Sequence, residues 1–231
     1  MKIGILVHGR HVEAQGWEHL MWGQPPHQIG LLPRLVQVIL EYGLDNIHTI
    51  FIGSGVQAPD GRYESEHIYE YLVEHFDSID SFDFTQDTVC QSIERDSWKD
   101  MLLGKIDLDT TSQNTREEII NADQSFQDCT QVLQITSCSH SPRCSKHMSE
   151  LVAEGVLSSD KIRMVIPDMT PYLNTTPADV FIAEPPHRGD DAFVEEDIQP
   201  HTIFQKFFTL KNHEARLQVL RDLEESLKKN S

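Results

Sequence analysis

No apolar run in this sequence approaches the roughly 20 residues that a helix needs to cross a bilayer. Basic residues are scarce as well. Lys and Arg number 19 against 37 Asp and Glu, a formal net charge of −18, which argues against nucleic acid or an anionic membrane surface as a partner. A local basic pocket for a phosphate stays compatible with that balance. Cysteine is sparse too. Cys90, Cys129, Cys138 and Cys144 form no regular framework, so free thiols are expected, with a Cys138–Cys144 pair as the alternative under oxidation. The segment Met1-Lys2-Ile3-Gly4-Ile5-Leu6-Val7 is too short for the apolar part of a signal peptide and passes straight into His8-Gly9-Arg10, which points to a first strand and a cytoplasmic protein. Absent also are the dinucleotide fingerprint, because Gly4 and Gly9 are wrongly spaced, any calcium-loop spacing among the aspartates, and any recognisable catalytic triad.

What is present is alternation. Residues 2–7, 48–52, 132–135, 163–166 and 180–183 are short apolar runs that read as strands. Between them, helical spacing appears over Leu31 to Tyr42 with Gly43 as its stop, over 64–75, from Asn114 to about Phe126, from Ser141 to Glu154-Gly155, and over 212–229. This order predicts an α/β protein of 231 residues in one Rossmann-like domain: a mostly parallel sheet covered on both faces, with ligands beyond the carboxyl ends of its strands. Two stretches stand apart. The segment from His8 to Gly30, with Trp17 and Trp22, reads as a long loop, and residues 77–111, rich in aspartate, read as a solvated insertion or cap.

The strand ends carry the chemistry. After the first strand come His8, Gly9 and Arg10; after the second, Gly53-Ser54-Gly55 lets the amides of Ser54 and Gly55 approach a ligand. After the strand at 132–135, the sequence Ser137-Cys138-Ser139-His140-Ser141-Pro142-Arg143 leads into a helix, with Ser141 expected as N-cap and Pro142 in the first turn. Donors, an imidazole and a fixed cation thus gather at one helix N-terminus, a place that attracts anions. A second helix start of the same kind lies at Ser112-Gln113-Asn114-Thr115-Arg116-Glu117-Glu118, where Asn114 with Glu117 and Thr115 with Glu118 are competing capping-box registers.

Four motifs in order are Gly53-Ser54-Gly55, Ser65-Glu66 opening a helix, Ser112 with Thr115 and Glu117, and Thr136-Ser137 followed by His140 and Arg143. Over roughly residues 1–167 they give a chain that resembles the YdcF-like (SanA/ElyC/YdcF) family of Rossmann-like proteins. It departs from that pattern at the turn after strand one, where His8-Gly9-Arg10-His11 replaces a glycine-rich turn. It departs again at Glu118, where asparagine is common, at Cys144, where alanine is common, and in the longer acidic segment. The membrane anchors of some relatives are not found here. The resemblance implies a ligand class ranging from S-adenosylmethionine to phosphate-bearing carriers.

Three readings follow. In the first, the protein is an enzyme, a hydrolase or transferase, for a phosphorylated or nucleotide-like small molecule. His140 is its acid or base, Arg143 its charge-assisted clamp, and Glu66 orients Arg143 or takes a hydroxyl. His8, Gly9, Arg10, Gly53, Ser54, Gly55, Ser112, Asn114, Thr115, Ser137, His187 and Arg188 complete the ligand wall. In the second, the protein is a regulatory module that holds a nucleotide or S-adenosylmethionine without transforming it. In the third, Cys138, His140, Cys144 and His147, a spacing that matches no standard zinc pattern, or the first-loop histidines His11, His19 and His27, bind a metal such as zinc. No oligomeric state can be read from the sequence.

Overall fold

The computed structural model describes residues 2–13, 17–86, 95–138 and 140–168, together with Arg221. The chain divides into two units, 1–170 and 171–231, and the elements below belong to the first. In chain order they are β1 (Ile3–Val7), α1 (Trp17–Trp22), the strands β2 (Gly23–Gln24) and β3 (Gln28–Ile29), α2 (Leu31–Tyr42), β4 (Ile47–Ile52), α3 (Glu64–His75), α4 (Arg95–Leu103), β5 (Ile106–Leu108), α5 (Thr115–Ser125), β6 (Gln131–Thr136), α6 (Ser141–Ala153) and β7 (Ile162–Pro167). The expected strand at 180–183 and helix at 212–229 lie outside the described residues, Arg221 excepted.

The five main strands are all parallel in the order β5-β4-β1-β6-β7. Helices cover both faces, as the α/β reading predicts. Ile3, Ile5 and Val7 of β1 face a core shared with Leu32, Leu35, Val36 and Ile39 of α2 and Ile68 and Leu72 of α3. Leu6 faces the other way, to Ile119, Ala122 and Phe126 beside α5 and Leu151 of α6. That alternation is the two-residue period of a strand buried on both sides. Gly4 is required by it, since a Cβ there would strike the Phe126 ring.

Several segments differ from expectation. The His8–Gly30 loop contains α1 and the antiparallel β2–β3 pair. Met21 and Trp22 are buried, and Trp22 packs on the rings of Tyr71, His75 and Phe82. Within the acidic segment, 3-10 turns at Phe76–Ser81 and Asp83–Gln86 and the helix α4 precede β5, which joins the sheet as its edge strand beside β4. The helix α6 begins one residue earlier than expected: His140 occupies the N-cap position and Ser141 opens the helix. Ser141 Oγ donates instead to the carbonyl of Cys138, 3.0 Å away, the local bond by which a serine tightens the turn before a helix.

The chain builds β1, β4 and β5 outward on one side, then returns to add β6 and β7 on the other. The reversal falls between β1 and β6. In open parallel sheets a crevice forms at such a switch, outside the carboxyl ends of the strands.

Candidate functional site

Both strand ends at this switch are held by continued ladder bonds. His8 N–H donates to the Ile135 carbonyl at 2.9 Å, and Asp168 N–H donates to that of Thr136 at 2.8 Å. His8 therefore leaves β1 on the face of Leu6, toward α5. There its Nδ1 meets Glu118 Oε2 at 2.6 Å and its Nε2 lies 3.1 Å from Gln134 Oε1. The imidazole is fully buried. Burial alone would lower its pKa. The Cys144 thiol and the Glu118 carboxylate against the ring outweigh that, and the value is held well above the usual 6.5. With both nitrogens donating, to Glu118 and to Gln134, His8 is an imidazolium in this arrangement.

The helix starts arrive from above. Asn114 caps α5, its Oδ1 accepting from Glu117 N–H at 2.9 Å, so the Asn114–Glu117 register is the one formed. That leaves Thr115 and Glu118, one turn apart, free to face the sheet. Thr115 Oγ1 lies 3.0 Å from His140 Nε2. The N-termini of α5 and α6 thus touch through these two side chains. Arg143 Nη2 lies 2.9 Å from the same His140 nitrogen. A guanidinium can only donate, so Nε2 accepts and the His140 ring is neutral with its proton on Nδ1. The rings of His8 and His140 pack edge to face with centroids 5.5 Å apart. On the β1 side, Arg10 Nη2 donates to Ser137 Oγ at 2.8 Å.

Other predicted residues take structural parts. Gly9 and Gly53 let the turns after β1 and β4 lie against each other: a Cβ on Gly9 would fall on that of Ser54, and one on Gly53 would come within 2.8 Å of Glu118 Cδ. Gly55 lies so close to the amides of Thr111 and Ser112 that a side chain has no space. Ser112 accepts from Asn121 Nδ2 at 2.8 Å and gives its N–H to Asp109 Oδ1 at 3.0 Å. Glu66 is not brought to Arg143; its carboxylate accepts from Tyr63 N–H at 2.7 Å and closes the first turn of α3. His187 and Arg188 lie outside the described residues.

The sequence reading missed three groups. Glu118 was hidden behind its capping signature. Gln134 was legible as the one polar residue within the apolar run 132–135. Glu64, 3% exposed at its side chain, accepts from Ser54 Oγ and lies 2.9 Å from His11 Nδ1.

For the zinc reading, no three His, Cys, Asp or Glu side chains among the described residues are grouped as metal ligands would be. Cys144 Sγ lies against Thr136 Oγ1 at 3.7 Å. Burial and the nearby Asp168 push the Cys138 thiol above its ordinary value. Cys129, Cys138 and Cys144 are free. No helix among the described residues is long and apolar enough to cross a membrane.

Comparison with known protein families, curated proteins and solved structures finds no match to this chain.

Proposed function

We propose that this protein is an enzyme of YdcF-like type that binds a phosphorylated or nucleotide-like small molecule, S-adenosylmethionine among the candidates, at the carboxyl end of its sheet and acts on it as a hydrolase or transferase. The observation that carries the reading is the meeting of two helix N-termini at His140 Nε2, with Thr115 at 3.0 Å and Arg143 at 2.9 Å. Helix N-termini offer amide donors and partial positive charge, and Arg143 and Arg10 add fixed cations, inside a chain whose net charge is −18. An anion seated there attracts the Arg143 guanidinium more strongly than a neutral imidazole does. As Arg143 turns to the anion, His140 Nε2 loses its strongest donor and becomes able to accept a proton from an attacking hydroxyl or water. Binding then creates the base.

A second reading, a nucleotide or S-adenosylmethionine module without chemistry, is favoured by the same nitrogen being already engaged by two protein groups. The same proposal places the protein in the cytoplasm, in keeping with three free cysteines, and assigns it neither nucleic acid nor membrane as partner. The test is turnover of a panel of phosphate monoesters, nucleotides and S-adenosylmethionine by wild type and His140→Ala. Product formed by wild type, with turnover lost and binding kept in the variant, supports the enzyme. Binding without product from any member of the panel supports the module, and absence of both overturns the two readings together.

A further inference from the structure

Ser54 is the one non-glycine residue among the described ones with a positive φ, 75°. This left-handed backbone is one that a β-carbon disfavours, and glycines on both sides show that the local sequence had the cheaper residue to hand. Strained conformations of this kind cluster where a side chain must be aimed, as at nucleophilic serines on turns after a strand. Ser54 follows the end of β4, where Gly53 N–H still bonds to the Val7 carbonyl at 2.8 Å and Ser65 N–H holds the Ser54 carbonyl at 3.2 Å. Its hydroxyl donates to Glu64 Oε2, while Glu64 Oε1 lies 2.9 Å from His11 Nδ1. Glu64 is 2% exposed, whereas the His11 side chain is 25% exposed, so the carboxylate is dry and its far partner reaches solvent. Through Gly9 the turn bearing Arg10 presses on Ser54, which places Ser54, itself buried at 7% exposure, beside the turn that follows β1.

We infer that Ser54 is a nucleophile of this site, that Glu64 takes its proton, and that His11 positions Glu64, the group transferred being the phosphoryl group of a phosphate ester. The inference rests on the proposed phosphorylated substrate. In the first step an Oγ lone pair forms the Oγ–P bond, the Oγ proton passes to Glu64 Oε2, and the ester P–O bond breaks with its electron pair on the leaving oxygen, which takes a proton from solvent. Water then attacks phosphorus and gives a proton to His140 Nε2, the base of the proposed function, which passes it to solvent, while the P–Oγ bond breaks and Oγ recovers its proton from Glu64. The sum is ester plus water giving alcohol plus phosphate.

The test treats the full-length protein with a fluorophosphonate, which phosphonylates activated serines, and locates the adduct by peptide mass. The inference expects one adduct on Ser54, absent in Ser54→Gly, a variant that suits the positive φ and keeps the fold by circular dichroism. Glu64→Gln should label at least about tenfold more slowly, and His11→Gln should shift the pH profile of labelling. Labelling elsewhere only, or at the wild-type rate in folded Glu64→Gln, overturns the inference. Hydrolysis of p-nitrophenyl phosphate separates it from the reading beneath it. Hydrolysis undiminished in Ser54→Gly overturns the nucleophile while the phosphate-ester enzyme stands. Ser54 labelling without hydrolysis of any phosphate ester keeps the activated serine and overturns the phosphoryl assignment.

Discussion

His8 and Glu118 lie 110 residues apart in the chain and 2.6 Å apart in the fold. The pair is buried, with the histidine fully out of water, and it sits where β1 ends under the first turn of α5. Glu118→Ala leaves a buried imidazolium with no carboxylate and is expected to destabilise the protein by about 3 kcal/mol or more. Urea denaturation measures it. A loss within about 0.5 kcal/mol, the range of a neutral surface substitution, would show that the pair contributes little.

The pH dependence of that pair has a fixed sign. The folded pKa of His8 is raised, so its contribution to stability is fully present below the unfolded value of 6.5 and is lost as pH rises through the folded value. The stability difference between wild type and His8→Gln, followed from about pH 5 to about pH 9, should therefore shrink as the solution becomes alkaline. A difference that grows with pH would reverse the assignment.

Gly53→Ala tests the seat of Glu118. The added Cβ comes within 2.8 Å of Glu118 Cδ, and a carboxylate clamped to His8 has little freedom to retreat. A cost of about 1–3 kcal/mol is expected from such overpacking, with the pH dependence of the preceding experiment weakened alongside. Unchanged stability and unchanged pH dependence would mean that the turn yields without disturbing the pair.

Asn114 has a structural part, so its loss should separate from ligand binding. Asn114→Ala removes the cap of α5 and should cost about 1 kcal/mol. Affinity for a phosphate-bearing ligand, read by calorimetry, should stay within about threefold of wild type, about 0.7 kcal/mol. A larger drop would return Asn114 to the ligand wall.

The parts of this fold that could be read from sequence are those with a strong period. β1, β4 and β6 are continuous or nearly continuous apolar runs because both their faces are covered, and α2 carries its apolar stripe and its Gly43 stop. What escaped was short or doubly readable. α1 spans six residues, less than two turns, too few to show a helical repeat. β5 offers Ile106 and Leu108 within an acidic stretch and looks solvated until its pairing with β4 is seen. Glu117 and Glu118 carry the same capping signature, and only the choice of Asn114 as cap sends Glu118 inward. Glu64 and Glu66 stand two residues apart, roughly 200° around a helix, so the one read as functional closes the helix end while its neighbour faces Ser54. Of the site, the strand-end and helix-start positions were legible, and the buried carboxylates that organise them were not, because their partners are distant in sequence.

Arg143 carries the central claim, an anionic ligand between β1 and β6. Native mass spectrometry of wild type and Arg143→Ala, each incubated with adenine nucleotides, S-adenosylmethionine and sugar phosphates, tests it most directly. The account predicts a stoichiometric adduct with a phosphate-bearing or adenosyl compound on wild type, lost or weakened at least about tenfold in a variant that unfolds at the same urea concentration, as removal of a charge-assisted contact requires. No adduct with any member of the panel, or the same adduct on both proteins, would contradict it.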